Sequence, residues 1–468
     1  MASAPGIVSN PIEAATIRKL RIRLLPFLFV LYVIAFLDRV NIGFAALTMN
    51  RELAITSPQF GFVAGIFFFG YFLFEVPSNL LLHRIGARIW IARILISWGT
   101  IALCTGLVHT VYQLYVARFL LGVAEAGFFP GIVLYFTYWF RQRDLAHSIS
   151  VLTAGMAVAS IVGSPISGLI LDHIHWWHVS SWRWLLILEG LPAVFGGLLT
   201  YLVLPSRPSE AQFLTDQEKR WIGTELQREE LQKREVVQLS AFHGLRNRRV
   251  WHLASTGFAH AVGSYPVFFW LPQLMKSMLT SQSNIVIGAL LMVPYLAGLV
   301  AMILYSRHSD RTLERRYHVA GATLIAGMAL IAFPSRHSLP LSIALLSIAI
   351  VGIVSALPPF FALPGEFLTG LSAASGIALI TSVANLGGFA GPYIVGWVRQ
   401  TTGNLNAGLT VAGFSFFVSA TLALLLPRTE QLRIGTDQNG ELCATFAQRI
   451  SRSLILELTT SGGLAGFC

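Results

Sequence analysis

Charged residues are scarce in this chain. Only 12% of its 468 residues are Asp, Glu, Lys or Arg, whereas 54% are hydrophobic. A soluble protein carries about 25% charged residues, so this composition argues against a water-soluble enzyme, and the high apolar content excludes a disordered chain. The three cysteines, Cys104, Cys443 and Cys468, are too few and too scattered for a disulfide framework or a paired-cysteine metal site.

Long apolar segments account for most of the sequence. A helix needs about 20 predominantly apolar residues to cross a bilayer, and the continuous character of these segments favours helices over barrel strands. Twelve segments qualify, near residues 26–48, 60–82, 94–110, 112–137, 148–171, 184–204, 250–274, 284–306, 318–334, 340–362, 376–397 and 407–427. We therefore predict an all-α membrane protein with 12 transmembrane helices, which needs the lipid bilayer as its surroundings.

A polar segment divides the predicted spans into two groups of six. It runs from Pro205 to Arg249, and a second polar segment follows the last span. The predicted organisation is an N-terminal six-helix bundle (1–204), a central loop (205–249), a C-terminal six-helix bundle (250–428) and a disordered tail (429–468), to whose residues after about Asp437 we assign no role.

The two halves also contain related motifs at one constant spacing. Arg84 follows the second span and Arg311 follows the eighth, 227 residues later. Pro165 in the fifth span and Pro392 in the eleventh are also 227 residues apart. A shared offset with six spans in each half predicts two pseudo-symmetric bundles, the arrangement with which transporters rock around a site near the bilayer midplane.

Basic residues are distributed unevenly between the two sides of the predicted membrane. If the N-terminus is cytoplasmic, 26 of the 33 Lys and Arg residues lie in cytoplasmic segments and five in outside loops. This asymmetry predicts that both termini are cytoplasmic. The net charge of +11 is then mostly an orientation signal, and we expect no nucleic acid partner.

The five most deeply placed charges inside predicted spans all fall in the N-terminal half. They are Asp38 and Arg39 in the first span, Glu75 in the second, and Arg118 and Glu125 in the fourth. An ionised side chain at the centre of a span costs about 2.5–3.5 kcal/mol, so such residues are expected to have a function.

The spacing of these residues predicts which way they point. Asp38 and Arg39 are adjacent and therefore point about 100° apart, so we expect one to face a central cavity and the other a neighbouring helix. Arg118 and Glu125 share one helix face about 10 Å apart, and Gly122 between them leaves room for a close helix or a ligand.

Two interpretations of these charges remain open. One is structural pairing, for example of Asp38 with an Arg from another helix. The other, which we favour for the set, is a cationic site for an organic anion, with carboxyl groups that gain and lose protons; Arg holds a carboxylate bidentately. Asn385 in the eleventh span either packs or contacts the substrate, Glu189 is interpreted as structural beside Arg183, and the aromatic residues at 67–72 as packing.

No catalytic motif occurs in the sequence. It contains no Walker loop, HExxH, GxSxG or paired-cysteine pattern. We therefore predict no enzyme activity, no cofactor and no metal, and any uphill transport must draw on an ion gradient.

Several motifs resemble those of one family. They are 36–45 (FLDRVNIGFA), 74–79 (FEVPSN), 118–131 (RFLLGVAEAGFFPG), 182–184 (WRW), 309–318 (SDRTLERRYH) and 385–392 (NLGGFAGP). Together they resemble the anion:cation symporter family of the major facilitator superfamily over roughly residues 15–428, and most of all the bacterial tartrate, phthalate and hydroxyphenylacetate permeases. The resemblance implies the major facilitator fold, a monomer in the bacterial inner membrane, and proton symport of a small organic anion by alternating access.

The resemblance also implies roles for individual residues. Asp38 and Glu125 would carry protons, and Arg39, Arg118 and Asn385 would bind the substrate. A conformational latch would comprise Arg84, Gly86, Arg88, Asp310 and Arg311. One departure is His83, which stands where the superfamily has an acidic residue.

Other functions remain possible on the sequence alone. The glycine-rich motif from Gly163 to Gly168 is of a kind associated with antiporters, so antiport, efflux or facilitated diffusion of a small metabolite is an alternative. A membrane sensor without transport is a more remote one.

Overall fold

The protein is almost entirely helical. Its computed structural model describes residues 11–236, 246–333, 338–368 and 370–427, and every regular element in these ranges is a helix. All of these helices lie in the first of two compact units, Met1–Leu426. The tail predicted at 429–468, with Cys443 and Cys468, lies outside the described residues.

Fifteen α-helices occur in the described ranges, in addition to three short 3-10 turns. They are α1 (Pro11–Glu52), α2 (Ser57–Ile85), α3 (Ala87–Thr105), α4 (Val111–Glu125), α5 (Phe128–Thr137), α6 (Gln142–His173), α7 (Ser181–Val203), α8 (Asp216–Val236), α9 (Arg248–Met278), α10 (Asn284–Thr312), α11 (Arg316–Ala332), α12 (Leu339–Ser355), α13 (Leu357–Ala362), α14 (Gly370–Thr402) and α15 (Leu405–Leu425).

Each of the twelve predicted spans coincides with helical structure. Ten helical segments of the described chain are long and apolar enough to cross a membrane. The other two spans are α11, an apolar helix of 17 residues, and α9, which has 31 residues and contains Pro266 and Pro272. The all-α membrane fold predicted from the sequence is confirmed.

Two spans predicted as single helices are interrupted. The span at 112–137 consists of α4 and α5, because Gly127 adopts a left-handed conformation with φ of 85°. The span at 340–362 consists of α12 and α13, which meet at Ala356 just before Pro358 and Pro359. The first interruption matters for the site, because Glu125 is the last residue of α4.

Helix packing repeats between the two halves. In the first half α1 packs on α6 and α7, α2 on α4, and α3 on α7; in the second, α9 packs on α14 and α15, α10 on α12, and α11 on α15. Across the halves, α2 packs on α14 and α6 on α10. This is the pairing expected of two related six-helix bundles, and α2 and α10 begin at Ser57 and Asn284, again 227 residues apart.

The halves meet closely at the end of the molecule where α2 and α10 begin. We call Gly61, Gly65, Gly168, Gly288 and Gly396 the glycine seam, because a β-carbon on any of them would overlap a backbone carbonyl oxygen of the opposite half. Gly61 contacts Pro392 and Gly288 contacts Pro165, so the repeated prolines pack on repeated glycines. Small residues allow this approach of two backbones.

Asp172 strengthens the same contact. Its carboxylate accepts hydrogen bonds from the Asn284 backbone N–H at 3.1 Å, the Asn284 side-chain amide at 2.7 Å and the Ile285 backbone N–H at 2.7 Å. An acidic residue of α6 thus caps the N-terminus of α10 in the other half, where unpaired N–H groups and the helix dipole favour negative charge.

Part of the predicted central loop is helical and contacts the first half. The Glu218 carboxylate on α8 lies 2.8 Å from the Lys19 ammonium on α1. Glu218 also accepts a hydrogen bond from the backbone N–H of Thr215 at 2.8 Å, which helps to fix the start of α8. Because the segment is rich in charged residues, its sequence predicts a loop here and does not identify the surface helix α8.

Candidate functional site

Six ionisable side chains are buried together in the first half. We call them the charged cluster: Asp38, Arg39, Glu75, Arg118, Glu125 and Glu189. Five of these residues are less than a tenth exposed, and the Arg39 side chain is 16% exposed. The cluster contains four carboxyl groups and two guanidinium groups, which is an excess of acid.

Arg39 on α1 forms an ion pair with Glu125 on α4. One guanidinium nitrogen of Arg39 donates to Oε1 of Glu125, whereas the second carboxylate oxygen, Oε2, has no hydrogen-bond partner among the described residues. The break after Glu125 leaves α4 without a further turn there, so its carboxylate can face α1. Arg39 is therefore the member of the Asp38–Arg39 pair that faces Glu125.

Asp38 points to a neighbouring helix, as the angular spacing predicts for one of the two residues. Its carboxylate accepts hydrogen bonds from the Trp98 indole on α3 and, at 3.0 Å, from the Asn41 side-chain amide. The sequence suggested an Arg as a structural partner, and sequence reasoning missed Trp98. A single Trp in an apolar span carries no pattern that would have identified it.

Arg118 is buried with spare hydrogen-bonding capacity. Its residue is 1% exposed, and its only hydrogen bond given by the described residues is from Nε to the carbonyl of Val63 at 3.4 Å. The NH2 nitrogen has no partner in the described chain. A buried cation with an unpaired donor is costly unless something else binds it, so this guanidinium is suited to an anion.

Aromatic rings surround the two guanidiniums. Phe67 lies 5.1 Å from the Arg39 guanidinium and 5.3 Å from that of Arg118, and Tyr71 lies 5.4 Å from Arg39. From the second half, Tyr265 faces Arg39 and packs on Phe68 with ring centroids 4.2 Å apart. Interpreting the aromatic residues at 67–72 as packing was therefore incomplete; the spacing of 67, 71 and 75 on one helix face was the available signal.

Glu75 and Asn385 link the two halves. Oε2 of Glu75 accepts hydrogen bonds from the Ser382 hydroxyl at 3.3 Å and from the Asn385 amide at 3.5 Å. Asn385, selected from the sequence as a polar group in an apolar span, therefore contacts the charged cluster from α14.

The sequence interpretation of Glu189 was wrong in one respect. Arg183 pairs with Glu52 at 3.2 Å and donates to the carbonyls of Gly106 and Val108, not to Glu189. Glu189 instead accepts a hydrogen bond from Ser167 at 2.8 Å and interacts electrostatically with Asp38. Glu189 belongs to the charged cluster because it lies on the face of α7 that packs against the other helices of the first half.

The residues predicted as a latch lie at the ends of α2 and α10 that are remote from the glycine seam. Gly86 has φ of 95° between α2 and α3, a conformation that favours glycine, and Arg88 donates to the Tyr201 carbonyl at 2.6 Å. Asp310 pairs with Arg315 at 2.6 Å, while Arg84 and Arg311 are exposed. The side chain of His83 lies outside the described residues.

Comparison with known proteins identifies relatives along most of the chain. The Major Facilitator Superfamily model matches residues 28–392. A protein of Agrobacterium vitis that bears the name tartrate transporter is 43% identical over 431 residues, which cover 92% of this chain and 95% of that protein. The metabolite transport protein NicT of Pseudomonas putida is 38% identical over 411 residues, covering 87% of this chain and 94% of NicT.

A solved structure shares the fold. It is a bacterial homologue of the human lysosomal transporter Spinster, in an inward-facing and occupied conformation, and it superposes with a TM-score of 0.69. The alignment covers 87% of this chain and 97% of that one at 17% identity, so the similarity concerns the fold alone.

Proposed function

Because the chain belongs to the major facilitator superfamily, we propose that it takes up a small organic carboxylate by proton-coupled symport, with alternating access. Its family and its transporter relatives make it an integral membrane transporter, not an enzyme. The names of those relatives support small organic acids such as tartrate as the substrate class. The proposed location is the bacterial inner membrane, with both termini cytoplasmic, because basic residues are concentrated on that side.

The unpaired NH2 nitrogen of buried Arg118 is the observation that carries this proposal. Together with Arg39, it would give a substrate carboxylate two guanidinium groups in a low-dielectric setting, where charge-assisted hydrogen bonds are strong. Asn385 would supply a further polar contact from the second half. The aromatic rings around both guanidiniums keep water from competing for them.

Proton coupling is supported by the balance of charge. The cluster already contains more carboxyl groups than guanidiniums, so adding an anion requires protons to offset it. Arg39 is held by Glu125, and protonation of Glu125 would release Arg39 to the substrate. Asp38, held by Trp98 and Asn41 beside Arg118, is the second proposed proton carrier.

With the proposed orientation, the glycine seam lies on the outer side, so the described conformation is closed toward the outside. Substrate and protons would leave from this state. Outward opening would separate the seam and bring together the opposite ends, where the proposed latch residues lie. The transporter is proposed to work as a monomer.

Uptake into vesicles tests the proposal directly. The purified protein is reconstituted, a proton gradient is imposed, and accumulation of radiolabelled tartrate and benzoate is followed. We expect accumulation that collapses with a protonophore and alkalinisation of the outer medium. Accumulation that is unaffected by the protonophore would contradict the symport proposal. Acidification of the outer medium would indicate antiport.

A further inference from the structure

Glu75 occupies a position that the proposed mechanism does not use. It is 7% exposed on α2, and its Oε2 accepts the hydrogen bonds from Ser382 and Asn385 of the opposite half. Neither of these bonds uses the other carboxylate oxygen, Oε1. A buried carboxylate directed across the interface between the halves costs free energy, so a structural sequence would avoid it.

The distance between Glu75 and the two guanidiniums indicates how long a substrate must be to contact both. Phe67, Tyr71 and Glu75 recur every four residues and therefore share one face of α2, with about 6 Å between successive positions. Arg39 and Arg118 lie against Phe67, and Arg39 also lies against Tyr71. The carboxylate of Glu75 is thus about 6–12 Å from the guanidiniums along this face, which matches the length of an acid with a backbone of four to seven atoms.

The chemistry of Glu75 restricts what the far end of such an acid can be. An ionised carboxylate accepts hydrogen bonds and donates none. If the substrate carboxylate binds Arg39 and Arg118, the substrate group that meets Glu75 must be a donor. A second carboxylate placed directly against Glu75 would be repelled, so in a dicarboxylate such as tartrate the contact falls to a hydroxyl group, and an alkyl group would offer Glu75 no donor.

We propose that Glu75 is a specificity-determining residue, whose carboxylate accepts a hydrogen bond from a hydroxyl group of the substrate. The transporter thereby selects hydroxylated organic acids over equally long acids that lack a donor. Ser382 is a positioning residue that holds Glu75 in place from α14, and Asn385 does the same in addition to its proposed substrate contact. The inference rests on the proposed function, because it takes Arg39 and Arg118 as the carboxylate site.

Four four-carbon acids separate the two properties that matter. Threonate and butyrate each have one carboxylate, with and without hydroxyls; tartrate and succinate each have two, with and without hydroxyls. Reconstituted wild-type protein is assayed for uptake of each labelled acid, and kcat/KM is compared within each pair. We expect the hydroxylated member to be favoured at least about tenfold, as a charged hydrogen bond implies.

Three variants then test the residue. Glu75→Leu should abolish the preference within both pairs, and Glu75→Gln should reduce it about tenfold, through a higher KM for the hydroxylated acids and an unchanged KM for butyrate. Glu225→Gln removes a carboxylate from the surface of α8 and serves as the matched control. A merely structural role would lower transport of all four acids equally.

The outcomes distinguish failure of the specificity proposal from failure of the proposed transport function. If no acid accumulates in the wild type, the proposed function fails, and Glu75 has no substrate to select. If acids accumulate but the preference within each pair survives in Glu75→Leu and Glu75→Gln, the specificity proposal alone is overturned. A uniform loss in variants that remain folded, judged by thermal unfolding, overturns it as well.

Discussion

The guanidinium of Arg39 and the carboxylate of Glu125 form an ion pair that joins α1 to α4 inside the membrane-spanning region. Each residue is the other's only partner for an ion pair within the described chain. A buried pair is strongly destabilised when one partner is removed, so a change at one residue must be compensated at the other. In a transporter of an anion, that compensation is available from a proton and the substrate.

Replacing Glu125 by Gln tests this exchange of partners. The amide keeps a hydrogen-bond acceptor for Arg39 but cannot carry a proton. Gradient-driven uptake into vesicles should fall at least about tenfold, whereas exchange of labelled for unlabelled substrate should persist. If both activities remain at the wild-type level, Glu125 is not a proton carrier.

Replacing Arg118 by Lys tests the anion site. Lysine keeps the positive charge beside Asp38 but lacks the planar fork that binds a carboxylate with two parallel hydrogen bonds. We expect KM for the transported acid to rise about tenfold or more, with little change in the unfolding temperature. An unchanged KM would show that the guanidinium does not contact the substrate.

The glycine seam predicts a conformational effect of single methyl groups. Gly61→Ala and Gly288→Ala should separate the halves at the seam, because each new β-carbon would overlap a carbonyl oxygen of the opposite half. A Ser57→Cys reporter, in a protein whose own three cysteines are replaced by serine, should then react faster with an impermeant maleimide.

Gly223→Ala is the control for this experiment. A β-carbon at Gly223, on α8, would meet nothing within 4 Å, so the substitution should leave labelling unchanged. It should even stabilise the helix slightly, by up to about 1 kcal/mol. Equal labelling rates in all three variants would contradict the idea that the seam holds this end closed.

The contact between α8 and α1 should depend on pH. Burial alone raises the pKa of Glu218, but hydrogen bonds from Lys19 and Thr215 outweigh it and hold the pKa below the ordinary value for glutamate. A lowered pKa in the folded state stabilises the contact above the ordinary glutamate pKa, and this contribution disappears as pH falls through the folded value.

Glu218→Gln provides the measurement. At pH 7 the variant should show faster hydrogen exchange in α8, by less than about fivefold, because a partly exposed ion pair contributes at most about 1 kcal/mol. The difference between the two proteins should disappear as the pH falls through the folded pKa of Glu218. A difference that persists at low pH would assign the effect to packing instead of charge.

Sequence reasoning predicted the fold well because the bilayer imposes simple requirements. Span length, apolar character and the 227-residue offset all have counterparts in the helices and their repeated packing. The break at Gly127 was missed because glycine is common in membrane helices and its positive φ depends on neighbouring helices.

The site was predicted in part. Charges inside spans were conspicuous, so Asp38, Arg39, Glu75, Arg118 and Glu125 could be selected from their placement in apolar segments. Partners from other helices could not, since Trp98 on α3 is an ordinary aromatic residue until packing brings it to Asp38. Glu189 was assigned to Arg183 by nearness in sequence, whereas their separation of six residues places them on different parts of the helix surface.

The glycines of the seam meet the opposite half backbone to backbone, and the one side-chain contact described beside them, from Asp172, lies apart from the charged cluster. The contacts that close this end therefore do not depend on which organic acid is bound. A change of cargo needs substitutions only around the charged cluster, and the moving parts need no matching change. This separation favours the evolution of new substrate selectivity, because substitutions at the binding site can change the substrate without altering the conformational change that transports it.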